Sequence, residues 1–110
     1  MGITKKDLFS PEQNDLAAGA KALGHPARIA ILQYLVAARA CINGDLVQEL
    51  GLAQATISQH LRELKAAGFI QGTIEGTSVS YCINPERWER IKSEFLELFE
   101  SYCGNDPTCC

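Results

Sequence analysis

The stretch SYCGNDPTCC carries three thiols within eight residues: Cys103, Cys109 and Cys110. Gly104 favours a left-handed turn and Asn105-Asp106-Pro107 favours a bend, so the chain can return and bring the three sulfurs together. Thiolates prefer soft, thiophilic ions. Trivalent arsenic or antimony suits such a set, because it takes three sulfurs in a pyramid. The spacing favours As(III) or Sb(III) as the bound ion, and we expect no organic cofactor.

Other uses of these thiols remain open. Zinc, cadmium or lead is an alternative, because Asp106 or water could supply a fourth, tetrahedral ligand. Cys103 and the pair Cys109-Cys110 could instead form a redox-sensitive disulfide or polysulfide link, or be incidental thiols of a loose tail. The two other cysteines, Cys41 and Cys82, are predicted to be small buried side chains.

Size and composition limit the classes of protein. A chain of 110 residues fits a single domain, 1–110. No apolar run is long enough to span a membrane, and the first residues do not form a secretory signal. We therefore expect a cytoplasmic protein with no membrane partner, whose thiols are kept reduced. Paired carboxylates, a glycine-rich phosphate loop and a nucleophile with an orienting histidine are all missing, so we do not expect an enzyme.

Periodicity predicts the elements that position these residues: a mainly α chain with a small β-hairpin. A cap at Ser10-Pro11-Glu12-Gln13 opens a first helix that ends near Leu23. A second helix follows, with Ile29, Leu32, Leu35 and Val36 as its apolar face. The predicted remainder is a helix-turn-helix at 43–67, a hairpin or wing at 69–83, a last helix at 85–103 and a cysteine tail at 104–110.

The order helix, short glycine turn, helix and hairpin predicts a winged helix-turn-helix. With Ile57, Leu61 and Leu64 assigned to the core, the outer face of the helix at 54–67 carries short hydrogen-bonding groups and one guanidinium, as contacts with base edges and phosphates require. Net charge is −3, so the prediction of DNA binding depends on this architecture and not on a basic surface. The predicted DNA contacts are Gln54, Thr56, Ser58, Gln59, His60, Arg62 and, on the wing, Thr77.

The last helix carries a heavy apolar stripe. Its large side chains recur at spacings of three and four residues, which is typical of a helix seam: Trp88, Ile91, Phe95, Leu98 and Tyr102, widened by Leu96 and Phe99. The stripe could cover the chain's own core. We favour burial against a second copy, with a homodimer built on the first and last helices.

Three stretches, ALGHPARIAILQYL, CINGDLVQELGLAQATISQHLRELKAAGFI and GTSVSYCINP, resemble the ArsR/SmtB family of dimeric metal-responsive repressors. The resemblance covers roughly residues 16–102. It implies a dimer on double-stranded operator DNA with twofold symmetry, an interface formed by helices at about 11–23 and 85–103, and an effector that weakens the grip on DNA.

Members of this family bind effectors at different sites, and this chain has only some of the residues that each site requires. In CINGDLV, Cys41 matches the first cysteine of a CxCxxC arsenic site, but Asn43 and Leu46 stand at the other two positions. The last helix lacks the histidine of a zinc site, and the second helix lacks the cysteine that a persulfide sensor pairs with the position of Cys103. The tail remains. Some arsenic sensors of the family have a cysteine cluster there, with the vicinal pair before the single cysteine, the reverse of the order in this chain.

Overall fold

The computed structural model describes residues 5–43, 50–73 and 80–102. The prediction of a mainly helical winged fold with a β-hairpin is confirmed. Within these ranges, a 3₁₀ turn at Lys5–Leu8 precedes four long helices and three strands: α1 (Pro11–Leu23), α2 (Pro26–Ala38), β1 (Ile42–Asn43), α3 (Gln54–Ala67), β2 (Ile70–Thr73), β3 (Ser80–Ile83) and α4 (Pro85–Glu100). No helix in the described ranges is long and apolar enough to cross a membrane.

Helix ends follow local chemistry. The Ser10 Oγ accepts a hydrogen bond from the Gln13 N–H at 3.0 Å, and the Gln13 Oε1 accepts one from the Ser10 N–H at 2.9 Å, which completes the capping box of α1. Asn84 caps α4 through its Oδ1, which accepts from the Arg87 N–H at 3.4 Å. Gly68 ends α3 with a left-handed φ of 93°. These caps fix where the helices begin and end.

The strands form a three-stranded antiparallel sheet in the order β1-β3-β2. β2 and β3 make the predicted hairpin, with Ile70 opposite Ile83 and Thr73 opposite Ser80; its tip lies outside the described residues. β1 corrects the sequence analysis, which began a helix at position 43. Asn43 instead pairs with Ser80, so that β1 forms an edge strand of the sheet. The side of β3 that faces away from β2 carries backbone N–H and C=O groups that can accept such a strand.

The core lies between the helices and this sheet. Ile57, Leu61 and Leu64 of α3 are buried, as helical periodicity predicted. The apolar face of α2 differs from its prediction: Leu32 and Leu35 are buried, whereas Ile29 and Val36 are exposed. The largest fully buried side chains are Tyr81, Ile31, Leu35, Ile57, Leu64 and Ile70.

The apolar stripe of α4 is divided along its length. Ile91 is buried, and Trp88 and Phe95 pack against the core. Leu98 is 52% exposed and Tyr102, which follows the helix, is 64% exposed. The first half of the stripe therefore belongs to the domain's own core, and the second half is left uncovered together with Leu96 and Phe99.

Gly72 provides a test of the hairpin. Its φ is 122°, and a Cβ at this position would overlap the carbonyl oxygen of Ser80 on the paired strand. We expect Gly72→Ala to lower the free energy of unfolding by about 2 kcal/mol or more, measured by urea denaturation. Gln71→Ala, an exposed substitution on the same strand, serves as the control and should change it by less than about 0.5 kcal/mol. Equal effects of the two substitutions would contradict this account.

Candidate nucleic-acid interface

Helix α3 presents its polar face outward because its apolar residues are held in the core. Gln54, Thr56, Gln59 and Arg62 are exposed and Ser58 is half-buried. The helix follows the turn at 51–53, and Gly51 adopts a left-handed φ of 71° there. Five of the six contacts predicted on this helix therefore share one accessible or partly accessible surface, which we call the α3 outer face.

Hydrogen bonds order the side chains of the α3 outer face. Gln54 Nε2 donates to Ser58 Oγ at 3.3 Å. Gln59 links two neighbours, since its Nε2 donates to Glu63 Oε1 at 3.2 Å and its Oε1 accepts from Arg62 Nη2 at 3.3 Å. All these bonds are exposed, so base edges or phosphates can replace them at low cost.

His60 corrects the prediction that it lies on the outer face. It is only 7% exposed, and its Nδ1 accepts a hydrogen bond from Arg28 Nε at 3.0 Å. Its ring centroid lies 4.4 Å from that of His25. Burial lowers the pKa of His60, and the nearby His25 and Arg28 lower it further. His60 is therefore held neutral, with Nδ1 as an acceptor.

The cluster of His25, Arg28 and His60 joins three helices. His25 caps α2, since its Nδ1 accepts from the Ala27 N–H at 3.0 Å. Arg28 donates through Nη1 to the carbonyl of Ala22 in α1 at 3.3 Å, and through Nε to His60 in α3. The direction of α3 is thus fixed by polar contacts as well as by the core. In the sequence, His25 and Arg28 lie in the HPAR stretch, which the sequence analysis quoted only within the family resemblance.

A second polar contact ties α3 to the hairpin. Lys65 Nζ donates to the carbonyl of Gly72 at 2.6 Å, which joins the last turn of α3 to β2. The base of the wing therefore has a defined position beside the α3 outer face. Thr77, the predicted wing contact, lies outside the described residues.

The predicted metal ligands Cys103, Cys109 and Cys110 also lie outside the described residues, which end at the exposed Tyr102. Within the described ranges, no group of three or more histidine, cysteine, aspartate or glutamate side chains could hold a metal ion.

Cys41 and Cys82 correct the expectation that they are small buried side chains. Cys41 is exposed, Cys82 is half-buried, and the two form a disulfide between β1 and β3. The sequence analysis missed this pair because β1, which brings the two positions together, was not predicted.

The neutral His60 makes stability depend on pH. Its pKa in the folded chain lies below the ordinary value of 6.5, so the unfolded chain binds more protons as the pH falls below that value. The contribution of His60 is therefore complete above about pH 6.5 and is lost progressively below it. We expect His60→Gln, whose amide can still accept from Arg28, to flatten the dependence of the unfolding free energy on pH between about 5 and 7. Chemical denaturation checks this, and equal slopes in the two proteins would contradict it.

Comparison with known proteins identifies the family. Residues 25–71 match the model of "Bacterial regulatory protein, arsR family". The chain is 31% identical over 95 residues to the HTH-type transcriptional regulator CmtR of Mycobacterium tuberculosis, covering 86% of this chain and 80% of CmtR. It is 43% identical over 61 residues to the HTH-type transcriptional repressor SmtB of the same species, covering 56% of this chain and 44% of SmtB.

A solved structure agrees with this match. The crystal structure of Rv0081 from M. tuberculosis superposes with a TM-score of 0.60 at 30% identity, covering 84% of this chain and 94% of Rv0081. CmtR and SmtB are transcription regulators rather than enzymes, in agreement with the prediction from sequence. The chain belongs to the arsR family of bacterial regulatory proteins, which are helix-turn-helix regulators of transcription.

Proposed function

We propose that this chain is a cytoplasmic transcriptional repressor that binds a twofold-symmetric operator as a homodimer and is released when As(III) or Sb(III) binds its tail thiolates. The observation that carries the DNA-binding part is the α3 outer face, which projects polar groups from a helix anchored by the core and by His60. The name of the relative SmtB, a transcriptional repressor, supports the direction of regulation.

The α3 outer face suits a major groove. Gln can bond adenine and Arg can bond guanine through two hydrogen bonds each, so Gln54, Gln59 and Arg62 are the proposed base readers. Thr56 and Ser58 offer hydroxyls for phosphates or bases. Ala53, the N-cap of α3, supplies no side-chain hydrogen bond to the helix, and a helix N-terminus suits a DNA phosphate. His60 is excluded from the proposed contacts because it is buried.

The uncovered half of the α4 stripe supports the dimer. Leu96, Leu98, Phe99 and Tyr102 are between 44% and 68% exposed, although their side chains are large and apolar. Leu8 and Phe9, just before α1, are exposed as well. A second copy that covered these side chains would place two α3 helices in a symmetric pair, which a twofold-symmetric operator requires.

Release by an effector needs a connection from the tail to α3. Arg87 supplies one from α4, since its Nη2 donates to the carbonyl of Ala67, the last residue of α3, at 3.2 Å. The same group lies 3.5 Å from Asp15 Oδ1 in α1. A shift of α4 within the dimer would therefore pull on the end of α3. Cys103 directly follows Tyr102, so a metalloid that gathers Cys103, Cys109 and Cys110 would act next to the uncovered half of α4.

Removal of Arg62 tests the DNA interface. Because an Arg–guanine contact contributes about 1–3 kcal/mol, we expect Arg62→Ala to weaken binding about 5- to 150-fold on a duplex selected from random sequence. Lys92→Ala is the control: Lys92 is an exposed cation on α4, a different helix, where it pairs with Glu89 at 3.9 Å. Fluorescence anisotropy across a salt series measures both variants. Equal losses would show that overall charge, and not the α3 outer face, governs binding.

The tail thiols have their own test. Cys109→Ser combined with Cys110→Ser removes two of three sulfurs, so arsenite should no longer release the protein from its operator, whereas binding without arsenite should persist. A coupling of about 1–3 kcal/mol predicts a 5- to 150-fold loss of affinity in the unmodified chain. Anisotropy titrations with arsenite, antimonite, zinc and cadmium compare the effectors.

The matched control for the tail is Cys41→Ser combined with Cys82→Ser, which keeps all three tail sulfurs and should still respond to arsenite. If the tail variant still releases on arsenite, the site is elsewhere. If zinc or cadmium releases the unmodified chain from its operator and arsenite and antimonite do not, the metalloid assignment is wrong and a divalent ion is the effector.

A further inference from the structure

The register of the sheet brings Cys41 and Cys82 face to face. β1 and β3 are antiparallel, with Ile42 opposite Tyr81 and Asn43 opposite Ser80. One step outward along the same register places Cys41 opposite Cys82, with their Cα atoms 4.2 Å apart and their sulfurs joined. The pairing therefore follows from the backbone of the sheet and does not depend on the tail.

The surroundings of the pair favour reaction with solutes. Cys41 is exposed and Cys82 is half-buried, at one wall of an open groove that Val36, Arg39 and Gln71 also line. Arg39 makes this groove partly cationic, which suits an anionic solute. An exposed disulfide is more labile than a buried one.

We infer that Cys41 and Cys82 form a reversible redox site that locks β1 to β3. This inference rests on the proposed cytoplasmic function, because disulfides of cytosolic proteins are transient and regulatory rather than permanent. The exposed Cys41 thiolate attacks a low-molecular-weight disulfide such as oxidised glutathione and expels one thiolate. The Cys82 thiol, losing its proton, then attacks the mixed disulfide and expels the second. Two protein thiols are oxidised, and one small disulfide is reduced to two thiols.

The positions of Cys41 and Cys82 in the chain explain why their disulfide would stabilise the segment that carries α3. Its partners are 41 positions apart in sequence, and the loop that it closes contains all of α3 and β2. β1 is only two residues long and pairs with β3 at two positions, so its backbone holds the edge of the sheet weakly. Oxidation restricts the unfolded states of this loop and thereby stabilises the unit that carries the α3 outer face. Reduction leaves this edge of the sheet held only by the two backbone pairs between β1 and β3, while the core still holds α3.

The test uses the full chain with Cys103, Cys109 and Cys110 replaced by serine, so that only this pair can react. In oxidised glutathione the mass should fall by two hydrogen atoms, peptide mapping should find Cys41 linked to Cys82, and excess reduced glutathione should restore both thiols. The oxidised form should melt about 10 °C or more above the reduced form, since a loop of this length is closed. Cys41→Ser and Cys82→Ser in the same background should melt alike in both buffers.

DNA binding completes the test on a duplex selected from random sequence. The oxidised form should bind about fivefold or more tightly than the reduced form, because its reading unit is already ordered. Failure of the disulfide to form, its persistence in excess reduced glutathione, or equal melting of the two forms would overturn the redox site. Equal DNA affinities would overturn its regulatory role. None of these outcomes depends on arsenite, so they are separate from failure of the tail thiols as an effector site.

Discussion

The hydrogen bond from Arg28 to His60 is the contact on which the proposed DNA-reading surface depends. The buried Ile57, Leu61 and Leu64 set which side of α3 faces the core, but apolar contacts have little directionality and permit small rotations of the helix. A bond between a guanidinium and a ring nitrogen has direction. It restricts the rotation that the core leaves open, and so refines which polar side chains of α3 face outward. His60 must be neutral to accept this bond. Its burial and the nearby His25 and Arg28 favour the neutral form, because they lower the pKa of His60.

The local signals in the sequence account for most of the helical framework. Ser10 and Gln13, Asn84 and Gly68 mark helix ends through contacts with near neighbours in the chain, which a sequence pattern contains. β1 could not be found in this way, because two residues carry no period and their partner on β3 lies about 40 positions away. The disulfide was missed for the same reason. Non-local pairing decides both features.

In the candidate site, too, local patterns predicted some residues correctly, whereas residues that depend on contacts with another element were missed. Periodicity identified the exposed Gln54, Gln59 and Arg62, because their positions follow from the inward direction of three apolar neighbours. It failed for His60, which lies at the edge of the buried face and is covered by His25 and Arg28 from another element. In α2 it failed for Ile29 and Val36, because that helix is apolar on nearly every side and its pattern does not distinguish the buried face.

The divided stripe of α4 is consistent with one helix serving both the domain's core and the proposed dimer. Trp88, Ile91 and Phe95 hold the first half in the core, and Phe69, just after α3, meets Trp88 edge to face with ring centroids 6.1 Å apart. Arg87 adds the polar contact with the end of α3. In the second half, Phe99 stacks on Phe95 with ring centroids 6.3 Å apart, while Leu96 and Leu98 remain exposed. A second copy or an effector that moved this exposed half of α4 would also move Arg87, which contacts the end of α3, the proposed DNA-reading helix.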